Sequence, residues 1–531
     1  RSTLFPYTTL FRSALAGFTM NVNDFLMMFA IAAYLMGMLG IGLYFSRKNN
    51  DARDFYLGGR SLGPFVTAMS AEASDMSSWL LMGLPGVAYL TGVANAAWTA
   101  IGLAVGTYIN WLLIAKRIRI YSHQLHAITL PEFFSKRYKD DKNILNFISA
   151  TIIIIFFIPY TASGFAACGK LFGTLFNTDY FWAMIISAAV IVGYTALGGF
   201  LAASTTDLIQ SIIMSFALVV ILGYGTYLAG GMDKVIENAS ALPGYFSLSS
   251  TYDAVNKSSS PYNFLSIIST FAWGLGYFGM PHILLRFMAI GDKDKLTLSR
   301  RVATIWVIIS LAVALMIGIV GNAMTSNDAI PYLKGATSET IIVKIAHILS
   351  TNGSVFALLA GLILAGILAA TMSTADSQLL AASSGVSQNI VRDFLKIRIT
   401  EKQAMILSRL TVIAISVVGV ILAANPNNSV FEIVSFAWGG FGATFGPVVI
   451  CALFWKNSNK HGALAGLTVG AIMIFFWKYA IRPLGGLWDT YELLPAFVCA
   501  LLAIIIVSKI AGRPGSEITD EFDKYHCKLT D

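Results

Sequence analysis

Charge is what this sequence has least of. Asp, Glu, Lys and Arg make up 12% of its 531 residues, against about 25% in soluble domains. So few charges exclude a chain kept disordered by self-repulsion. Cysteine is also scarce: Cys168, Cys451, Cys499 and Cys527 are scattered without a CxxC pair, which argues against a disulfide framework or a zinc site. The six histidines, His123, His126, His282, His347, His461 and His526, are dispersed and form no HExxH string, so a metallo-hydrolase within the membrane has no support. The net charge of +8 is spread through loops rather than gathered in one patch, so no nucleic-acid partner is expected. Apolar residues, by contrast, reach 56% alongside 46 glycines, and the mean hydropathy is +0.70. The fold class predicted is an all-α integral membrane protein.

A span needs roughly 20 apolar residues, and thirteen segments qualify: 25–46, 64–90, 92–115, 143–175, 179–199, 201–229, 262–290, 301–323, 354–390, 403–424, 429–455, 461–481 and 491–511. If thirteen spans alternate sides, one set of loops holds 27 of the 36 Lys and Arg. Arg286 is counted with the loop after the seventh segment. The asymmetry puts the C-terminus in the cytoplasm and the N-terminus outside. The first residues, RSTLFPYTTLFRS, repeat Thr-Leu-Phe and lack an initial Met; residues 1–19 are read as a non-native leader and set aside. The expected divisions are a first helix and cytoplasmic loop (20–60), a first repeat (61–231), a second repeat (262–455), two last helices (456–512) and a tail of about twenty residues (513–531). That tail is too short for a fused kinase sensor.

Interruptions of the apolar pattern carry the functional information. Glu72 and Asp75 fall in AEASDMSSWLLMGLPG of the second segment, Asp207 in the sixth, and Asp376 in AATMSTADSQ of the ninth. Each is either a functional carboxylate or a structural one satisfied by a neighbouring helix. The second segment holds a small, polar cluster, Ser70 to Trp79, and the seventh reads Trp273-Gly-Leu-Gly-Tyr-Phe-Gly-Met-Pro281. Glycine weakens a helix by about 1 kcal/mol and interior proline by about 3 kcal/mol, so both stretches are expected to unwind, which membranes tolerate only in protein or around a cavity. The alternative is that the glycines permit close helix packing. Counted from each break, five spans run to segment 6 and five to segment 11, the layout of two inverted repeats. In the ninth segment Ala370, Ser373, Thr374 and Ser377 share one helical stripe. Their hydroxyls either face a small hard cation or bond back to their own helix.

The stretches LGGRSLGPFVTAMSAEASDMSSWLLMGLPG (57–86), YTALGGFLAASTTDLIQ (194–210), WGLGYFGMPHILLRFMA (273–289) and SFAWGGFGATFGPVV (435–449) resemble the sodium:solute symporter family, and within it the proline branch. The resemblance covers nearly the whole chain from about residue 20. It implies a LeuT-like five-plus-five inverted repeat with flanking helices, in the plasma membrane of a bacterium, carrying L-proline with sodium. It also implies a sodium site of Ala73, Met76 and Ala370 carbonyls with Ser373 and Thr374 hydroxyls. Asp75 would be the ion-linked aspartate, and proline would lie near Ser77, Ser78, Tyr160, Trp273, Tyr277 and Pro281. Asp207, Asp376 and Ser377 are similar to a second sodium position of some members. This chain departs from the pattern at Glu72, Ser78, Met280 and Asp376, which leaves selectivity and a second ion open. Another small solute or a proton as coupling ion are the competing readings.

Overall fold

The computed structural model describes residues 21–46 and 56–530. The expected leader and the loop cations Arg47, Lys48 and Arg53 lie outside them. The described residues are helical almost throughout. α1 (Val22–Ser46), α2 (Pro64–Asp75), α3 (Leu84–Thr91) and α4 (Val93–Gln124) come first, then the short α5 (Leu130–Arg137). α6 (Ile144–Phe176), α7 (Tyr180–Gly198) and α8 (Phe200–Leu228) complete the first half. A connecting region with α9 (Met232–Ala241) and the antiparallel hairpin β1 (Ser250–Asp253) and β2 (Ser258–Pro261) leads to α10 (Phe264–Phe271). The second half holds α11 (Pro281–Ala289), α12 (Leu296–Ser326), α13 (Ile341–Ser350), α14 (Ser354–Ser384), α15 (Glu401–Ala423) and α16 (Val430–Phe454). α17 (Lys460–Phe476), α18 (Leu493–Ile510) and α19 (Ser516–Thr530) close the chain.

Ten helices among the described residues are long and apolar enough to cross a membrane; three shorter apolar pieces are Trp79–Thr91, Tyr180–Gly193 and Phe264–Gly279. These three fall in the second, fifth and seventh expected segments, the fifth being part of the continuous α7, and the ten long helices fill the other ten. Two of the short pieces adjoin the breaks. α14 and α16 are buried nearly all round, whereas α1, α15 and α17 expose apolar faces such as Phe25, Phe29, Met36, Val417 and Ile421. That is the pattern of inner helices wrapped by lipid-facing ones. The tail forms α19, whose Tyr525 stacks on Tyr121 of α4 at 4.3 Å, while Lys456 and Asp523 pair at 2.5 Å.

Both expected breaks are present, and each has a local cause. α2 stops at Met76, whose φ of −75° and ψ of 67° make an inverse γ-turn, with the Ser77 N–H donating to the Asp75 carbonyl at 2.8 Å. The chain resumes through a π-helical turn, Trp79–Gly83. In the second break, Ala272–Gly279 tightens to a 3-10 helix, Met280 is extended, and Pro281 opens α11 at a position where its missing N–H costs nothing. Gly274, Gly276 and Gly279 do not take left-handed φ. They serve close approach: Gly274 lies against Gly102 and Gly106 of α4, Gly279 against Phe441, and a Cβ at Gly276 would fall inside the Trp438 indole. Unwinding and close packing therefore occur together.

Overpacking of this kind costs about 1–3 kcal/mol. Gly276→Ala is expected to lower the thermal unfolding midpoint of the detergent-solubilised protein clearly, and Gly37→Ala, with no described atom crowding its added Cβ within 4 Å, to hold it or raise it slightly. Equal midpoints for all three proteins would show that close approach is not what requires Gly276.

Candidate functional site

The break after α2 presents two different faces. On one side the Ser373 hydroxyl of α14 donates to the Ala73 carbonyl at 2.8 Å and to its own helix at the Ala370 carbonyl, 3.2 Å. Thr374 Oγ1 donates to the same Ala370 carbonyl at 3.1 Å. Ala73, Ala370, Ser373 and Thr374 thus gather four oxygens, all in residues at most 3% exposed. Such a neutral, oxygen-only donor set fits a small hard cation. Met76 stands at the turn itself, its N–H bonded to the Glu72 carbonyl at 2.8 Å. Thr374 and Ser377 bond back to their own helix, whereas Ser373 does so and also crosses to α2.

The other face is aromatic. Asp75 Oδ2 accepts from the Tyr277 hydroxyl at 2.6 Å, and the Asp75 carbonyl accepts from Tyr160 at 3.2 Å and from the Trp79 indole at 3.1 Å. Trp273 lies 5.9 Å from Trp79 and 5.4 Å from Tyr491, and Tyr277 stands edge-on to Trp438 at 5.0 Å. The Trp438 indole donates to the Trp273 carbonyl at 2.7 Å, satisfying backbone freed by the break. Ser77, Ser78 and Pro281 are buried, and Ser78 Oγ has no partner among the described residues. Glu72 points elsewhere, its Oε1 accepting from Trp111 of α4 at 2.8 Å. Met280 is fully buried.

Asp207, Asp376 and Ser377 also meet, around a residue that the charge count misplaced. Arg286 is not in a loop; it is 1% exposed within α11. Its guanidinium reaches Asp207 Oδ2 at 3.1 Å, Ser70 Oγ at 2.9 Å, the His282 carbonyl at 2.9 Å and the Ser377 hydroxyl. Ser377 donates to Asp376 Oδ1 at 3.2 Å. The buried signal was in LLRFMA, but a basic residue near a span's end reads as a loop when no partner is visible. Reasoning from sequence also missed the buried pair of Lys170 and Glu339 at 2.5 Å. There Glu339 accepts from Ser429 Oγ and from the N–H groups of Val430 and Phe431, capping α16. One further string, Gly59-Arg60-Ser61-Leu62-Gly63, spells GxSxG, but Ser61 Oγ donates to the Gly58 carbonyl at 2.7 Å after a 3-10 turn, not at a strand-to-helix elbow.

Two broken helices, one presenting oxygens and the other aromatic rings at the middle of an apolar bundle, are the architecture of a secondary transporter. The comparisons agree. The sodium:solute symporter family profile matches residues 55–470, and the chain belongs to that family. It is 40% identical to a sodium/proline symporter of Salmonella typhimurium over 94% of this chain and 96% of that protein. It is 41% identical to one of Haemophilus influenzae, over 92% and 96%. A sodium-coupled sialic acid symporter, solved in a substrate-bound outward-open state, superposes with a TM-score of 0.74 at 18% identity, covering 92% of this chain and 99% of that one. The shared fold is the all-α class expected from the sequence.

Removing one partner of a buried ion pair costs about 3–5 kcal/mol, whereas replacing both by apolar groups is often neutral. Arg286→Met is expected to destabilise the protein strongly in thermal unfolding, and the double variant with Asp207→Leu to recover most of the loss. A double variant as unstable as the sum of its singles would show that the two do not compensate one another.

Proposed function

We propose that the chain is a symporter that carries L-proline into the cell with sodium by alternating access. The observation that carries this reading is the turn at Met76, which joins the oxygen cluster on α14 to the aromatic wall on the second break. It is supported by relatives named sodium/proline symporters at about 40% identity across more than nine-tenths of the chain.

Sodium would be held by the Ala73, Met76 and Ala370 carbonyls and the Ser373 and Thr374 hydroxyls. Proline would lie among Ser77, Ser78, Tyr160, Trp273, Tyr277 and Pro281, where aromatic faces suit the pyrrolidine ring and offer few partners to a sugar. The Asp75, Trp273, Tyr277 and Ser373 side chains are at most 4% exposed, so transport requires the bundle to open. The Glu339 contacts with Lys170 and α16 would part to admit solute from outside, and the Arg286 cluster would part to release it inside. Asp207, Asp376 and Ser377 serve in this reading as that inner contact, because Arg286 already holds Asp207 Oδ2 and Ser377. Sidedness follows from the loop cations, with the N-terminus outside and the C-terminus cytoplasmic. The energetics suffice: a potential of about 100 mV contributes about 2.3 kcal/mol per charge, and a tenfold sodium gradient about 1.4 kcal/mol more.

Uptake of labelled proline into proteoliposomes tests the proposal. Thr374→Ala is expected to raise the sodium concentration for half-maximal uptake at least about tenfold, since hydrocarbon cannot replace an oxygen ligand, and Thr374→Ser to do so much less. Trp273→Ala and Tyr277→Ala are expected to raise the proline concentration for half-maximal uptake while sodium activation changes less. Proline uptake driven by a pH gradient in sodium-free buffer would overturn the choice of ion, and a hexose competing better than proline would overturn the choice of solute.

A further inference from the structure

We infer that Asp75, expected from the family resemblance to be ion-linked, is instead the counter-ion of the solute's ammonium group, and that the sodium seat is complete without it. This assignment rests on the amino-acid symport proposed above and deepens it.

Three observations converge. First, the Asp75 side chain turns away from the oxygen cluster. The Ala73 carbonyl is met by Ser373 of α14, whereas the Asp75 carboxylate is met by Tyr277 on the second break. Second, that carboxylate is only half satisfied. Oδ2 accepts from Tyr277, while Oδ1 is buried with no partner among the described residues, in a residue that is 0% exposed. A buried carboxylate oxygen left bare is costly, and a ligand that donates to it relieves that cost only when bound. Third, the surroundings suit an organic cation better than a bare ion. Sodium needs a shell of oxygens, which the Ala73, Ala370, Ser373 and Thr374 cluster provides. The Asp75 carboxylate meets Tyr277 and its carbonyl meets Tyr160 and Trp79, with Trp273 packed on Trp79 and Trp438 on Tyr277, and aromatic faces attract ammonium groups. Glu72, the nearest other carboxylate in sequence, is half satisfied in the same way, but its bonded oxygen faces Trp111 of α4 and not the second break. A secondary ammonium with two N–H donors and an apolar ring attached satisfies Oδ1 and leaves the ring to the aromatic wall.

The test compares L-proline with tetrahydrofuran-2-carboxylate, which keeps the ring and carboxylate but has an oxygen in place of the ammonium. Both are measured as competitors of labelled proline on the purified full-length protein, and radioactive sodium binding is measured separately without solute. In the wild type the ring-oxygen compound is expected to bind at least about 30-fold more weakly, the loss typical of removing one partner of a buried charge pair. In Asp75→Asn, proline is expected to weaken to near the ring-oxygen compound, with solute-free sodium binding retained; in Thr374→Ala, sodium binding is expected to fall while the preference for proline persists. Equal competition by the two compounds in the wild type would overturn the assignment even if no Asp75 variant folds. So would an Asp75→Asn protein that keeps the full preference, or one that loses solute-free sodium binding as Thr374→Ala does. Failure of the wild type to bind proline at all would instead overturn the proposed solute.

Discussion

Backbone that leaves the helix inside a membrane must find another partner for every N–H and C=O it releases, because hydrocarbon supplies none. This requirement shapes the molecule from the two breaks outward. At the first, the Ser77 N–H closes on the Asp75 carbonyl, and that carbonyl also accepts from Tyr160 and Trp79. At the second, the Trp438 indole takes the Trp273 carbonyl. The residues that satisfy the broken backbone are thus the aromatic rings of the site. Close approach by α4 and α16, which places those rings, depends on glycines facing glycines and indoles at Gly102, Gly106, Gly274 and Gly276.

The same breaks put charge where it is expensive. Glu72, Asp75, Asp207 and Asp376 are buried in the core of the bundle, and Arg286 is the basic side chain paired among them. Asp207 is matched directly by the guanidinium. Among the described residues Asp75 Oδ1 and Glu72 Oε2 have no hydrogen-bond partner, nor do Asp207 Oδ1 and Asp376 Oδ2. A cation beside Ala73 and a zwitterion beside Asp75 would each lower the cost of admitting the other. In the proposed arrangement their seats would be two residues apart on one segment, which would give coupling a short physical route through the turn at Met76 rather than through a distant relay.

The helical class, the two breaks and the carboxylates were legible in the sequence because each is a local departure from an apolar pattern. Pro281 and the small, polar run from Ser70 to Ser78 disfavour a regular span, although α2 stays helical through Ser70 and Ser74 and breaks only at Met76. The stripe of hydroxyls on α14 was legible from spacing, which by itself favoured back-bonding, and Ala73 as the partner of Ser373 came from the family resemblance; the structure has both bonds. Arg286 was misplaced because burial of a cation is decided by its partners, here Asp207 and Ser70, which lie far away in sequence. Trp438 and Tyr491 were not singled out because an aromatic residue in an aromatic-rich span carries no periodic signal. The Lys170 and Glu339 pair was hidden for the same reason as Arg286: each half looks like an ordinary loop or helix-end charge until the fold brings them together.

The central claim is that cation and solute share the turn at Met76 and therefore bind interdependently. Equilibrium binding of labelled proline and of radioactive sodium to the purified protein measures this directly, each titrated with and without saturating amounts of the other. The account predicts that sodium tightens proline by about tenfold or more, and that proline tightens sodium by the same factor, as linkage requires of a shared coupling energy. Proline affinity that is independent of sodium, in protein that binds both, would contradict it.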